Sequence, residues 1–229
     1  MNPNLKKVIV AVDTPKISDA MSLVDAIGDL IDWYKIGSVL FTSSGNKIID
    51  FLHQRSKKIF LDIKLHDIPN VVGNTVKQIS EMGIDLATVH CLGGLEMLQA
   101  ASAQCRNTQL RLVGITLLTH QKEADPNTFG NRSSAKDLVT KLVTLAEEAR
   151  LYGIICSPHE IETVKPKILP GFQLITAGIR IPGVEVYQDD QIRTASPAQA
   201  LDYGADFVVI GRPITQAREP RQVVESLFH

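Results

Sequence analysis

Short β-branched runs alternate with amphipathic stretches along almost the whole chain. Residues 8–12 read Val-Ile-Val-Ala-Val, a continuous apolar run of the kind that forms a strand covered on both faces. The next segment, 18–30, sets Met21, Val24 and Ile27 at helical spacing, with Ile31 just beyond it. The couplet then repeats. Strands are expected at 33–36, 59–63, 84–89, 110–117, 154–156, 172–176 and 207–210. Helices are expected at 46–54, 71–82, 95–102, 135–151, from Pro158 onward, at 197–203 and from about Ile214. Gly83 and Gly204 stand where helices stop. This alternation predicts an α/β chain folded as one (β/α)8 barrel over residues 1–229. An open doubly wound sheet is the rival, but it usually carries a glycine-rich loop after its first strand. Here that strand runs into Asp13-Thr14-Pro15 with no glycine. The segment 178–196 is long for a compact domain and reads as a binding loop or lid.

The chain's 229 residues suit one large domain better than two small ones. With 44% hydrophobic and 21% charged residues, it has the material for a core and is not a disordered chain. Lys and Arg number 24 against 25 Asp and Glu, a net charge of −1, so a general nucleic-acid binder is excluded and any anion site must be local. Three widely spaced cysteines, Cys91, Cys105 and Cys156, make neither a disulfide framework nor a zinc site. They fit a reducing, cytoplasmic setting. No signal peptide is expected, and the run 112–119 falls far short of the roughly 20 apolar residues that cross a bilayer.

A barrel gathers its functional groups at the C-terminal ends of its strands. Those ends carry Asp13, Lys35, Asp62, Lys64, His90, Thr119, Ser157, Gly178 and Gly211-Arg212. Any one of them could be a solvated strand end; together they exceed what packing asks for. Asp62 and Lys64 are two apart on a strand and so share a side. Lys35 and Asp67 extend them to an alternating array of four charges. A Schiff-base lysine must be neutral, whereas flanking carboxylates favour the ammonium, so Lys64 suits proton donation. Asp62 would repel a substrate carboxylate beside it, and loss of CO2 would relieve that repulsion. Decarboxylation with Lys64 as acid follows, with a structural salt-bridge ladder as the alternative. At the chain's end, Gly211 and Arg212 after the last strand fit a phosphate site, and Gly178 to Arg180 offer a second approach. His90 reads as a hydrogen-bonded core histidine, Cys156 as a small hydrophobe and Ser157 as a helix cap. No close set of His, Asp and Glu marks a metal site.

The string Phe60-Leu61-Asp62-Ile63-Lys64-Leu65-His66-Asp67-Ile68-Pro69-Asn70 resembles the signature of the orotidine 5′-phosphate decarboxylase family. Val10 to Asp13, Lys35-Ile36-Gly37, Val89 to Gly94, Gly178-Ile179-Arg180, Asp190 to Arg193 and Ile210 to Pro213 resemble it too, in the family's order. The resemblance implies an enzyme that converts orotidine 5′-monophosphate (OMP) to UMP and CO2 in pyrimidine synthesis, without metal or cofactor. It implies that Lys64 protonates C6, that Asp62 lies against the departing carboxylate, and that Lys35 and Asp13 bind the ribose. Thr119 would contact the pyrimidine. Gln191, Gly211 and Arg212 would hold the phosphate, with Arg180 and the loop 181–190 as a lid. It further implies a homodimer in which Asp67 reaches the partner's site, and it places Ile68, Pro69, Asn70 and Val71 among the substrate-binding positions. Three positions depart from the pattern. Val71 replaces the family's usual Thr, which removes a hydroxyl contact to the partner's ribose; Ala177 replaces a proline; and His120 replaces a small hydroxyl residue.

Related barrels that act on Mg2+-bound sugar phosphates share the Asp-x-Lys-x-x-Asp core, and loss of activity in chelator would favour them. Borohydride trapping at Lys64 would favour an aldolase. Substrate binding without turnover would favour a non-catalytic sensor.

Overall fold

The computed structural model describes residues 2–118, 135–184, 187 and 194–228. Eight parallel strands close into a barrel in sequence order, each paired with the next and the last with the first. They are β1 (Val8–Val12), β2 (Trp33–Gly37), β3 (Lys58–Leu65), β4 (Leu86–His90), β5 (Arg111–Ile115), β6 (Gly153–Cys156), β7 (Gln173–Thr176) and β8 (Phe207–Ile210). The single-barrel expectation holds and the open sheet is excluded.

The helices among the described residues are α1 (Ile17–Ile27), α2 (Ser38–Ser44), α3 (Asn46–Gln54), α4 (Pro69–Glu81), α5 (Gly94–Ala103), α6 (Ala135–Glu148), α7 (Pro158–Val164), α8 (Pro197–Asp202), α9 (Arg212–Thr215) and α10 (Pro220–Ser226). The first one expected, 18–30, stops early because Gly28 adopts φ 65°, and a 3-10 turn, Gly28–Leu30, takes over. The final helix is two short ones, the second opened by Pro220 in its first turn. An unexpected helix, α2, precedes α3, and Gly45 at φ 54° separates them.

Strand alternation divides the core in two. Outward residues such as Val8, Val10, Tyr34, Ile36, Leu61, Ala87 and Val89 pack under the helices. Inward residues Ile9, Ala11, Phe60, Leu86, Val113, Ile175 and Val209 fill the barrel itself. Trp33 and Phe207 pack against this plug edge to face, with centroids 5.9 Å apart. The plug makes the barrel a floor rather than a pore. Polar groups on the strand ends above it therefore face a closed bottom. No helix of the described residues is long and apolar enough to cross a membrane.

Candidate active site

Four charged side chains stand on that floor in one chain of contacts. β3 puts Phe60 in the apolar plug and Asp62 and Lys64 on the cavity wall, so the plug gives way to charge within one strand. Asp62, only 6% exposed, accepts from both lysines: Lys64 Nζ lies 2.9 Å from Oδ1 and Lys35 Nζ 3.1 Å from Oδ2. Lys35, on the neighbouring β2, reaches on to Asp13 Oδ2 at 3.6 Å. The expected pairing of residues 62 and 64 on one side is observed. The fourth member differs from expectation. Asp13, at the end of β1, takes the place given to Asp67, because β1 adjoins β2 and Ala11 pairs with Lys35. Asp67 lies beyond the strand end, is exposed, and accepts the Ile68 N–H at 2.7 Å.

Burial alone would drive Asp62 toward its neutral form. The ammonium of Lys35, and next that of Lys64, overrides this and holds its carboxyl below the usual carboxylate range. Burial likewise opposes the charge on Lys35, but Asp62 and then Asp13 hold its amine above the usual lysine value. Both stay ionised in a nearly dry setting because each is the other's counterion.

Two backbone features make room for the array. Gly37 pairs with Asp62 across β2 and β3, and a Cβ there would collide with the Asp13 carboxylate and lie 3.5 Å from Lys35 Nζ. Lys64 has φ 51°, the left-handed region, and its N–H donates to Thr88 Oγ1 at 2.8 Å. Beside Lys64, the rings of His66 and His90 stack with centroids 5.2 Å apart. Burial, then His66, then Lys64 push the His90 imidazole down to about 4, and its Nδ1 accepts the Leu92 N–H at 3.3 Å. His90 is thus hydrogen-bonded as expected but half-buried rather than in the core, and His66, for which the sequence offered no partner, has a ring partner.

One cavity of about 810 Å³ joins the array to the far rim. Asp13, Lys35, Asp62, Lys64, Arg180, Gly211 and Arg212 all line it, so seven of the predicted site residues come together. Gly211 follows β8, and Arg212 opens α9, a helix of four residues. Gly178 and Arg180 follow β7, and the Arg180 N–H donates to Ala195 O at 2.9 Å, clasping the base of the long loop. Further along that loop the Tyr187 N–H donates to Gln216 Oε1 at 3.1 Å, and Gln216 also lines the cavity. Ile68, Pro69, Asn70, Val71 and Asp67 do not line it. Thr119, His120 and Gln191 lie outside the described residues.

Sequence reading missed Asp19, Thr215 and Gln216 on the cavity wall. They sit on or just after helices, and a search of strand ends passes over them. Cys156 and Ser157 are fully buried and do not line the cavity. The Ser157 N–H donates to Glu160 Oε2 at 2.9 Å at the start of α7, consistent with the expected cap position. Among the described residues no three His, Cys, Asp or Glu side chains gather as metal ligands.

The family model described as orotidine 5′-phosphate decarboxylase / HUMPS family matches residues 6–227. An orotidine 5′-phosphate decarboxylase of Vibrio cholerae is 41% identical over 228 residues, 98% of this chain and 97% of that one. One from Legionella pneumophila is 40% identical over 225 residues, 97% of each chain. The crystal structure of orotidine 5′-phosphate decarboxylase from Lactobacillus acidophilus superposes with a TM-score of 0.84 at 32% identity, covering 97% of each chain.

Proposed function

Because the chain belongs to the orotidine 5′-phosphate decarboxylase / HUMPS family, we infer that it is a carboxy-lyase that converts OMP to UMP and CO2. The observation that carries the mechanism is Asp62, nearly buried between two ammonium groups, in the cavity that also reaches Arg212. A substrate phosphate held by Gly211, Arg212, Gln191 and Arg180 would set the base at the opposite end. Thr119 would meet the pyrimidine, and Asp13 and Lys35 the ribose.

The C6 carboxylate then lies against Asp62, which is already ionised. Two like charges in a dry pocket raise the ground state, and the departing CO2 removes one of them. The C6–CO2 bond breaks and its electron pair stays on C6. The Lys64 ammonium is the nearest proton source, stabilises the carbanion, and transfers a proton from Nζ to C6. The neutral amine left behind regains its proton from solvent. Neither metal nor cofactor has a role in this reading, because Lys35 and Lys64 already supply the positive charge that flanks Asp62. Grip on the remote phosphate supplies binding energy to the reacting end.

A homodimer completes the site in this reading. Val39, Ile68, Val71 and Leu92 are exposed apolar residues, Ile68 at 64%, and they follow the ends of the adjacent strands β2, β3 and β4. A second copy covering them would bring Asp67, Ile68, Pro69, Asn70 and Val71 to the neighbouring cavity.

The test is turnover of OMP in chelator, followed by loss of ultraviolet absorbance. Steady turnover is expected. Lys64→Ala should lower kcat by about 10³-fold or more while UMP still binds. Arg212→Ala should chiefly raise KM, by about 10²-fold, with a smaller loss for a substrate lacking phosphate. Activity lost in chelator, or an unchanged KM in the arginine variant, would overturn the corresponding assignment.

A further inference from the structure

β3 and β4 are in register at Phe60 with Leu86 and at Leu61 with Ala87, and register resumes at Leu65 with Val89. Asp62, Ile63 and Lys64 therefore stand opposite a single residue of β4, Thr88. This is a bulge, and bulges re-aim side chains. Among the described residues four non-glycine residues have positive φ: Ser56, Asn107 and Arg150 lie in turns, and only Lys64 lies within a strand. A left-handed lysine persists only where its surroundings impose the conformation. The contact that does so here is visible. The Lys64 N–H, turned out of the ladder, donates to Thr88 Oγ1 at 2.8 Å. Thr88 has 0% exposure, faces the barrel interior by alternation with Leu86, and does not line the cavity.

We propose that Thr88 is a positioning residue for the decarboxylation: its buried hydroxyl anchors the β3 bulge, holds Lys64 in its left-handed conformation, and so aims the Lys64 ammonium at Asp62 and the reacting carbon. The proposal rests on the reading of Lys64 as the acid. A backbone N–H in a barrel wall needs an acceptor. One residue of β4 faces three of β3, so its main chain offers too few carbonyls for their N–H groups, and the Thr88 side chain supplies the acceptor for Lys64. Valine has threonine's shape without the acceptor. In its place the Lys64 peptide would rotate toward extended φ, where lysine has no steric penalty, and its Cα–Cβ direction would swing away from Asp62. A misplacement of about 1 Å costs on the order of 10²-fold in rate.

The experiment compares Thr88→Val, Thr88→Ser and Lys64→Ala with the wild type in kcat, KM and UMP affinity. Thr88→Val is expected to lower kcat by about 10–100-fold, with KM and UMP affinity within about twofold, because the phosphate end does not touch β4. Thr88→Ser restores the acceptor and should return kcat to within about threefold of wild type. Unchanged kcat in Thr88→Val overturns the proposal. So does a fall in UMP affinity that matches the fall in kcat, or a serine variant as slow as the valine one, since either marks a packing role. Should the valine variant not fold, serine and alanine differ only in the hydroxyl. Serine must then exceed alanine about tenfold in kcat, and equal values overturn the proposal. An active Lys64→Ala enzyme would overturn the acid reading itself, a different failure from a fully active Thr88→Val beside a dead Lys64→Ala.

Discussion

At the scale of single residues, the site depends on what Gly37 lacks as much as on what Asp62 carries. Its φ of −85° is open to any amino acid, so alanine brings no backbone strain. The harm would come from a Cβ driven into the Asp13 carboxylate. Gly37→Ala should displace Asp13 and loosen Lys35 while leaving the barrel folded. Steady-state kinetics should show KM for OMP raised about tenfold, equal to about 1.4 kcal/mol of binding, with a smaller change in kcat and little change in Tm. An unchanged KM would sink the assignment of Asp13 to the ribose. The contact between Asp62 and Lys64 is the one that strand alternation leads one to expect, but β3 leaves regular alternation at this point, and the bulge with the left-handed φ of Lys64 is what aims the ammonium at Asp62. Asp13 as the array's fourth charge was not legible in the sequence. That depends on Ala11 pairing with Lys35 across β1 and β2, and register is a property of two strands rather than one.

At the scale of elements, the ends of β3 and β4 bring together the stacked rings of His66 and His90. The folded His90, at about 4, lies below the ordinary value of about 6.5. Its neutral form is favoured in the folded state, so the unfolded chain binds the extra proton between those values. Stability from this group is complete above about pH 6.5 and falls as the pH drops toward 4. His90 keeps some solvent contact, and screening reduces the effect to on the order of 1–2 kcal/mol. Urea melts at pH 7.5 and pH 5 should therefore show a smaller acid loss for His90→Gln than for the wild type, and equal losses would refute the claim. Eight strands and most helices were legible because buried parallel strands read as apolar runs. The expected β3 stops at Ile63, two residues before the observed end at Leu65, because Lys64 looks like a strand terminus. The bulge that lets a lysine continue the strand depends on Thr88, 24 residues away.

At the scale of the whole molecule, the barrel brings chain segments from β1 to α9 around one cavity, yet it leaves Asp67 and the exposed Ile68 and Val71 outside that cavity. Their place in catalysis therefore turns on a second copy, and the sequence offered no periodic stripe to announce one, since these residues lie in a strand-to-helix turn and the first turn of α4. Two inactive variants decide the question. In the proposed dimer, Lys64→Ala would lack the acid of its own cavity, and Asp67→Ala would lack the carboxylate that its chain lends to the partner. If the two proteins are mixed and allowed to exchange subunits, half of the dimers should hold one of each. In such a dimer one cavity has both defects, while the other takes Lys64 from one chain and Asp67 from its partner and is intact. The mixture should recover about a quarter of wild-type activity, with the rate of recovery set by subunit exchange. If Asp67 instead served the cavity of its own chain, every cavity in every combination would carry a defect and mixing would restore nothing.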